Sequence, residues 1–535
     1  MSPANGHDVV VLGAGHNGLT AAAYLARAGR SVLVLERRDR VGGSADTATL
    51  GGVRVPAVAH TVGRLRPSIV RELALRSHGL ELIAPDVRVF APRPDGPAIA
   101  LWRDTAATVD SLRAADLPAD AEAYATFDAR VRDLSSFLAE LGDEIAPDVR
   151  APGLGDALTG LRLGRAYRGL GRDGGRTILR VLAMAVADFV GESFADDALR
   201  AVIAWRGVRH TAMGPWSAGT TKVLLDDAAA SDGGASGETV YARGGPGALS
   251  AALASAARAA GAEIRIDADV VAVTSRDGRV TGVALASGEE IATSTVVAGI
   301  DPKRLLTTLV DPVAIGPTLR WRAGNIRTPG RVAKVNLVLD GLPDMPAASA
   351  DPRLLRGRIL VGATGVDAME RVFDPPKYAE VADRLVVEAT IPSLADPSLV
   401  AGAPAGTHVV SAHVQWVPTA PREGSWDDGR DALGDAVVRT LATVIPGLAD
   451  RIRARQILTP LDLERDYGLT GGHPFHAEPG LDSFFLWRPL LGWARHRMPI
   501  DGLYLAGAGA HPGGGVTATP GRNAAREVLK DLGRR

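Results

Sequence analysis

Gly13-Ala14-Gly15-His16-Asn17-Gly18 matches the pattern GxGxxG, and Glu36 follows 18 residues after Gly18. That spacing suits a dinucleotide. Gly13 permits a tight turn, Gly15 lets a pyrophosphate approach the backbone, and Gly18 lets a helix pack closely on a sheet. A helix starting at this turn offers free N–H groups and the positive end of its dipole to phosphate. An acid placed like Glu36 accepts hydrogen bonds from ribose hydroxyls. Arg37 and Arg38 follow, then Gly42-Gly43 and Ser44. A double glycine so soon after the acid lets the chain double back beneath the pyrophosphate, with the arginines near phosphate or adenine.

The glycine pattern alone is weak; its flanks give it weight. DVVVLG, residues 8–13, is an apolar run expected of a strand buried on both faces. LTAAAYLARAG is a helix rich in small residues, closed by Gly29, and SVLVLE is a second buried strand. Together they make a βαβ unit with the acid in register.

Lys334 is a second candidate. Lysine is scarce: Lys222, Lys303, Lys334, Lys377 and Lys530 stand among 60 basic residues. Residues 332–340 alternate like a strand exposed on one face, with Val332, Lys334 and Asn336 together. A charged residue inside such a strand must reach water or a partner, and the plain reading is a solvated strand residue. His473 and His476 stand three apart, but Pro474 breaks any helix and no third ligand has a suitable spacing. No metal is expected.

The 535 residues are 46% hydrophobic and 23% charged, which excludes a disordered, collagen-like or coiled-coil chain. A net charge of -1 gives no electrostatic reason to expect nucleic acid. The absence of cysteine removes disulfides, thiolate metal sites, thiol nucleophiles and a cysteine-tethered cofactor. No secretory signal is read at residues 1–7, and no apolar run is long enough for a membrane span. A cytoplasmic protein is expected. Peripheral membrane contact through an amphipathic face and a homodimer stay open.

Along the chain, residues 119–142 and 177–207 read as helices. The run 181–190 reads as a buried helix, and 151–175 and 231–237 as Gly-rich loops. Residues 270–285 read as a hairpin around Asp277-Gly278, 295–299 as a buried strand, and 384–390 and 408–417 as further strands. Residues 428–445 read as a helix, and 458–463 as the start of a long loop. Residues 502–509 return to the first domain. The fold class is α/β: a discontinuous Rossmann-type domain (1–80, 238–310, 495–535) with an inserted α+β substrate domain (81–237, 311–494).

ERRDRVGG, residues 36–43, resembles the fingerprint of FAD enzymes of the amine oxidase and phytoene desaturase superfamily. DGLYLAGAGAHPGGGVTATPGRNAA, residues 501–525, strengthens the resemblance. GAGAHPGGG is similar to the phytoene dehydrogenase-like branch; amine oxidases proper usually carry an acid where Gly509 stands. YGLTGGHPFH, residues 467–476, and GHNGL, residues 15–19, resemble the sub-branch of pyridine nucleotide-disulfide oxidoreductase domain-containing proteins. With no cysteine, the chain cannot perform the disulfide chemistry of that name.

The resemblance implies non-covalent FAD. It places the cofactor on Gly13, Ala14, Gly15, Asn17, Gly18, Leu19, Glu36, Arg37, Arg38, Gly42, Gly43 and Ser44. It adds Val270 at the adenine, and Gly507, Ala508, Gly514, Gly515 and Val516 along the ribityl chain and ring. It puts Lys334 near the flavin, bridged by water to N5, and His511 close to the ring; both are catalytic candidates. His60, Tyr467, His473 and Trp487 are the substrate candidates. The implied activity is a dehydrogenase or desaturase that passes hydride from a small organic substrate to flavin N5. An amine oxidase, a flavin-dependent isomerase and a non-catalytic FAD-bound protein remain the alternatives.

Overall fold

The computed structural model describes residues 6–94, 96–149, 152–231 and 237–533. The strand Val9–Leu12 is buried at every residue and lies at the centre of a five-stranded parallel sheet. Its neighbours are Val32–Leu35, with Glu263–Arg265 beyond, and Val296–Ala298, with Leu503–Leu505 beyond. Segments almost 500 residues apart therefore share one sheet. The helix His16–Arg27 covers one face beside Gly247–Ala259 and Thr519–Leu532. Its buried Ala21, Ala22 and Ala23 let these helices approach closely. The other face packs on a three-stranded antiparallel sheet, Val270–Arg276, Arg279–Leu285 and Glu290–Ala292, through Val273, Val283 and Leu285.

A second, seven-stranded sheet runs in the order Ile452–Leu458, Val332–Leu339, His408–Gln415, Val387–Thr390, Arg358–Val361, Val87–Ala91, Ile99–Trp102. On one face Ala333, Val335 and Leu337 join Val410 and Ala412 against Leu433, Val437 and Leu441 of the helix Trp426–Ala442. The alternation of Val332–Leu339 implied that the opposite face is exposed; instead all eight residues are buried. This face is polar without meeting solvent: Lys334 lines an interior cavity, and Asn336 bonds to the Pro56 carbonyl, Gln456 and Ser411.

Helices 118–230 form a cap. Residues 151–175 read as a loop, but Leu154–Gly169 and Gly171–Val181 are helices. Asp156 accepts the Gly153 N–H at 2.8 Å, and Leu163 and Tyr167 pack on the cap's core, which outweighs the scattered glycines. Residues 177–207 read as one helix, yet they break after Val181, and the segments Val186–Gly191 and Asp197–Val208 follow. The Val186 N–H turns aside to Thr220 Oγ1, and Asp196 caps the last segment. Residues 181–190 are thus no continuous helix. The expected loop at 458–463 holds the helix Pro460–Tyr467, begun by a Thr459/Asp462 capping box. Residues 232–236, within the expected loop 231–237, lie outside the described residues. No helix among the described residues is long and apolar enough to cross a membrane.

Candidate active site

The first strand leads into a turn built for close approach. A Cβ on Gly18 would stand 2.0 Å from the Gly13 carbonyl oxygen, so only glycine lets the helix seat on the turn. The N-cap of this helix, Gly15, provides no side-chain cap, and its first turn carries no acid. Its free N–H groups and positive dipole end therefore serve a ligand. Glu36 is buried; its Oε2 accepts the Ala14 N–H at 2.7 Å and its Oε1 the Arg38 N–H at 3.0 Å. The double glycine folds back onto the turn: Gly42 N–H donates to the Ala14 carbonyl at 2.9 Å.

Gly13, Gly15, Asn17, Glu36, Arg37, Arg38, Gly43, Ser44, Val270 and Ala508 line one cavity. Asn17 Oδ1, His16 Nε2 and Arg38 Nη1 are buried there with no hydrogen-bond partner. Ala14, Gly18, Leu19, Gly42 and Gly507 do not line it. Ala14 is tied to Glu36, Leu19 lies in the core, and a Cβ on Gly507 would stand 2.1 Å from the Ile300 carbonyl oxygen. Tyr467, expected at the substrate, stands instead in this cradle with the Arg38 guanidinium 4.6 Å from its ring centre. Tyr467 is the last residue of the helix Pro460–Tyr467.

His16, Ser44 and Pro474 also line a second chamber, which holds His60, Arg209, Lys334, His413, Phe475, Gly515 and Val516. Strand register makes its floor. Lys334 pairs with His413, and His413 with Glu388, so these side chains form one row on one face. Lys334 Nζ donates to Ser411 Oγ at 2.6 Å, and Ser411 Oγ donates to Asn336 Oδ1 at 2.9 Å. Burial, then the nearby Arg209, holds the Lys334 ammonium well below its ordinary range, against the pull of Glu388. The His60 and His413 rings are 4.0 Å apart. Burial lowers His60 to about 3 and His413 and His210 well below the ordinary range, so all three favour the neutral form.

Glu388 is the hub. It accepts from Trp205 Nε1 and Arg206 Nη1, each at 2.8 Å, and faces His60 Nε2 at 3.2 Å and Arg209 Nε at 2.9 Å. Burial alone would raise its pKa; Arg209, Arg206 and Arg358 outweigh that and hold it well below the carboxylate range. His60, Glu388 and His413 bring ligand atoms within 4.8 Å of one another. A cation there would have to displace three guanidinium groups from one carboxylate.

Arg64, Arg209 and Phe475 are shared with a third cavity, lined by the cap helices and by Gly513 and Gly514. His473 Nε2 lies 3.4 Å from Glu478 Oε2, a buried pair that ties the 467–476 segment to the residues just beyond it. His511 lines none of the three cavities. Its Nε2 lies 3.0 Å from the Leu141 carbonyl and its ring packs on Phe485, so it supports the turn. Trp487, half exposed in a short helical turn, lines none of them either. Sequence reading missed Arg64, Arg206, Arg209, Glu388 and His413. Their positions follow from long-range register and helix packing, and the only local signal is an acid or histidine inside an apolar strand.

A parallel-sheet nucleotide domain, a cradle at the first glycine turn and a second sheet flooring a buried chamber define a flavoprotein oxidoreductase. The chain belongs to the family of flavin containing amine oxidoreductases, whose model matches residues 18–529, and FAD is its cofactor. It is 33% identical to pyridine nucleotide-disulfide oxidoreductase domain-containing protein 2 of Rattus norvegicus, over 99% of this chain and 96% of that one. It is 28% identical to one of the subunits of the limonene dehydrogenase of Castellaniella defragrans, over 100% and 96%. Among solved structures, a putrescine oxidase shares the fold at TM-score 0.61 and 17% identity, covering 99% of both chains. The cradle fits FAD, since its orphaned Asn17 Oδ1 and uncapped helix offer what a pyrophosphate and sugar need.

Proposed function

We propose that the protein is an FAD-dependent dehydrogenase or desaturase that oxidises a small organic substrate in the chamber beside Lys334. When bound, FAD supplies the hydride-accepting ring. The observation that carries this reading is the join between cradle and chamber at His16, Ser44 and Pro474. A cofactor held by Glu36 at one end would have its other end directed at the chamber that His60, Lys334 and His413 line. Lys334, held toward the neutral amine, can take up a proton when a C–H bond is broken, while the lowered pKa of His60 and His413 keeps those rings neutral. Burial of the floor excludes water, and the Arg64 and Phe475 walls orient the substrate.

The names of two relatives support oxidation at carbon: the limonene dehydrogenase and a neurosporene-forming phytoene desaturase of Rhodobacter capsulatus. Gly509 stands where amine oxidases usually carry an acid, and the chamber's guanidinium groups disfavour an ammonium substrate. Anaerobic mixing with candidate substrates tests the reading. Bleaching of the flavin absorbance supports oxidation. Double-bond movement without bleaching means isomerisation, and no response across substrate classes means a binding role.

A further inference from the structure

We propose that the substrate carries a carboxylate and that Arg64 and Arg209 receive it where the chamber opens into the cap cavity. The proposal rests on the oxidoreductase reading above and deepens it.

In the cap cavity six cationic side chains stand against three carboxylates, Asp143, Asp226 and Asp227. The three acids are already engaged: Arg66 lies 3.0 Å from Asp143, Lys222 2.6 Å from Asp226, and Arg206 grips Asp227 with two nitrogens. Arg64 has no such partner. Its Nη2 donates to the Asp226 carbonyl at 3.2 Å, its Nε is 3.9 Å from Asp227, and that Nε is buried without a hydrogen bond. Arg209 shares Glu388 with Arg206 and Arg358, and its own Nε makes no well-aligned hydrogen bond. Glu388 and Asp227 together face four guanidinium groups, those of Arg64, Arg206, Arg209 and Arg358, so positive charge is left over. Burial and neighbouring cations accordingly push Arg209 down to about 9, while Asp227 and Asp226 only partly offset the burial of Arg64.

Two desolvated, under-partnered arginines facing one opening leave a positive field that an anion relieves. A hydrocarbon would leave Arg64 with only its long contact to Asp227 and Arg209 with only its share of Glu388, and an ammonium would be repelled. A carboxylate presents two oxygens to guanidinium forks. A phosphate dianion would add repulsion from Asp226 and Asp227 on the same wall. Leu138, Val223 and Phe475 supply apolar walls, so the body of the acid is expected to be apolar.

The test uses the FAD-loaded protein and four probes of one length: octanoate, octanamide, octylamine and octyl phosphate. Each is titrated while the flavin spectrum is followed. Octanoate is expected to bind at least about tenfold tighter than the other three. Arg64→Met and Arg209→Met should each weaken octanoate at least about tenfold and leave octanamide unchanged, with FAD content kept. If Arg209→Met does not fold, Arg209→Lys replaces it and should show the same loss, because the fork is gone. Equal or tighter binding of amide, amine or phosphate overturns the proposal. So does unchanged octanoate binding in the variants, or no response to octanoate in a protein whose flavin is still reduced by dithionite and by a substrate. A flavin that no substrate reduces overturns the oxidoreductase reading instead, even where octanoate binds.

Discussion

Lys334 stands directly opposite His413 on adjacent antiparallel strands, in a row that continues to Glu388. A lysine, a histidine and a carboxylate thus share one buried face without a direct lysine–carboxylate bond; the amine is satisfied by Ser411. The register of three strands therefore gives this face its chemistry.

Lys334→Met keeps the stem and removes the amine. FAD content should stay normal while flavin reduction or reoxidation slows at least ~10-fold, about 1.4 kcal/mol in barrier, measured by stopped flow. The stability sign is also fixed. The folded state binds this proton less readily than the unfolded state, whose lysine has its ordinary value of 10.5. Wild-type stability from this group therefore rises with pH up to that value. The Met variant loses the dependence, so its melting temperature relative to wild type should fall as pH rises from neutral toward 10.5. A constant difference would refute buried, proton-poor Lys334.

Glu36→Ala removes the acceptor that holds the Ala14 and Arg38 N–H groups and faces the nucleotide cavity. FAD should bind about 1–3 kcal/mol more weakly, the scale of hydrogen bonds to a charged group. Fluorescence titration of the apoprotein reads the change.

Glu388→Gln keeps the shape and deletes the charge shared by Arg206, Arg209 and Arg358. Breaking a buried ion cluster from one side costs about 3–5 kcal/mol. The urea midpoint should fall accordingly; an unchanged midpoint would mean that the arginines find other partners.

Acid should destabilise the protein before the carboxylates titrate. Burial lowers His16, His476 and His496 to about 4, and His60 and His511 to about 3, against 6.5 when unfolded. These groups stay neutral when folded and gain protons on unfolding, so stability falls as pH drops from 6.5 toward 4. Each contributes up to about 1.4 kcal/mol per pH unit. With FAD in fixed excess, His511→Gln should flatten the slope of melting temperature against pH and leave flavin reduction unchanged.

The flavin should be held without a covalent bond: the chain has no cysteine to tether it, and Glu36, the first glycine turn and the loop with Gly515 and Val516 would hold it by contact alone. Acid precipitation should release all of it; colour retained in the pellet would point to a histidine linkage.

The nucleotide end is legible in the sequence because its chemistry is local. The strand, the glycine turn, the helix and Glu36 fall within residues 8–36, and each leaves a pattern of its own. The Thr459/Asp462 box is equally local, but the glycines beyond it dominate the pattern and suggest a loop. Lys334 is legible as an anomaly, whereas its burial is not. Period-two alternation does not distinguish water from a polar cavity. Arg64, Arg209 and Glu388 come from three distant segments, and only the folded chain brings them together. His511 is two residues from Gly513, yet closeness along the chain does not bring its ring to the site.

The sheet that carries the cradle is closed on one edge by Leu503–Leu505, while its central strand is Val9–Leu12. During synthesis at ~5–20 residues per second, the first glycine turn emerges roughly half a minute or more before the strand that completes its sheet. Until then the nascent chain holds an unfinished edge. Loss of residues 496–535 would remove that strand, the helix Thr519–Leu532, and the walls that Gly513, Gly514, Gly515 and Val516 give the cavities.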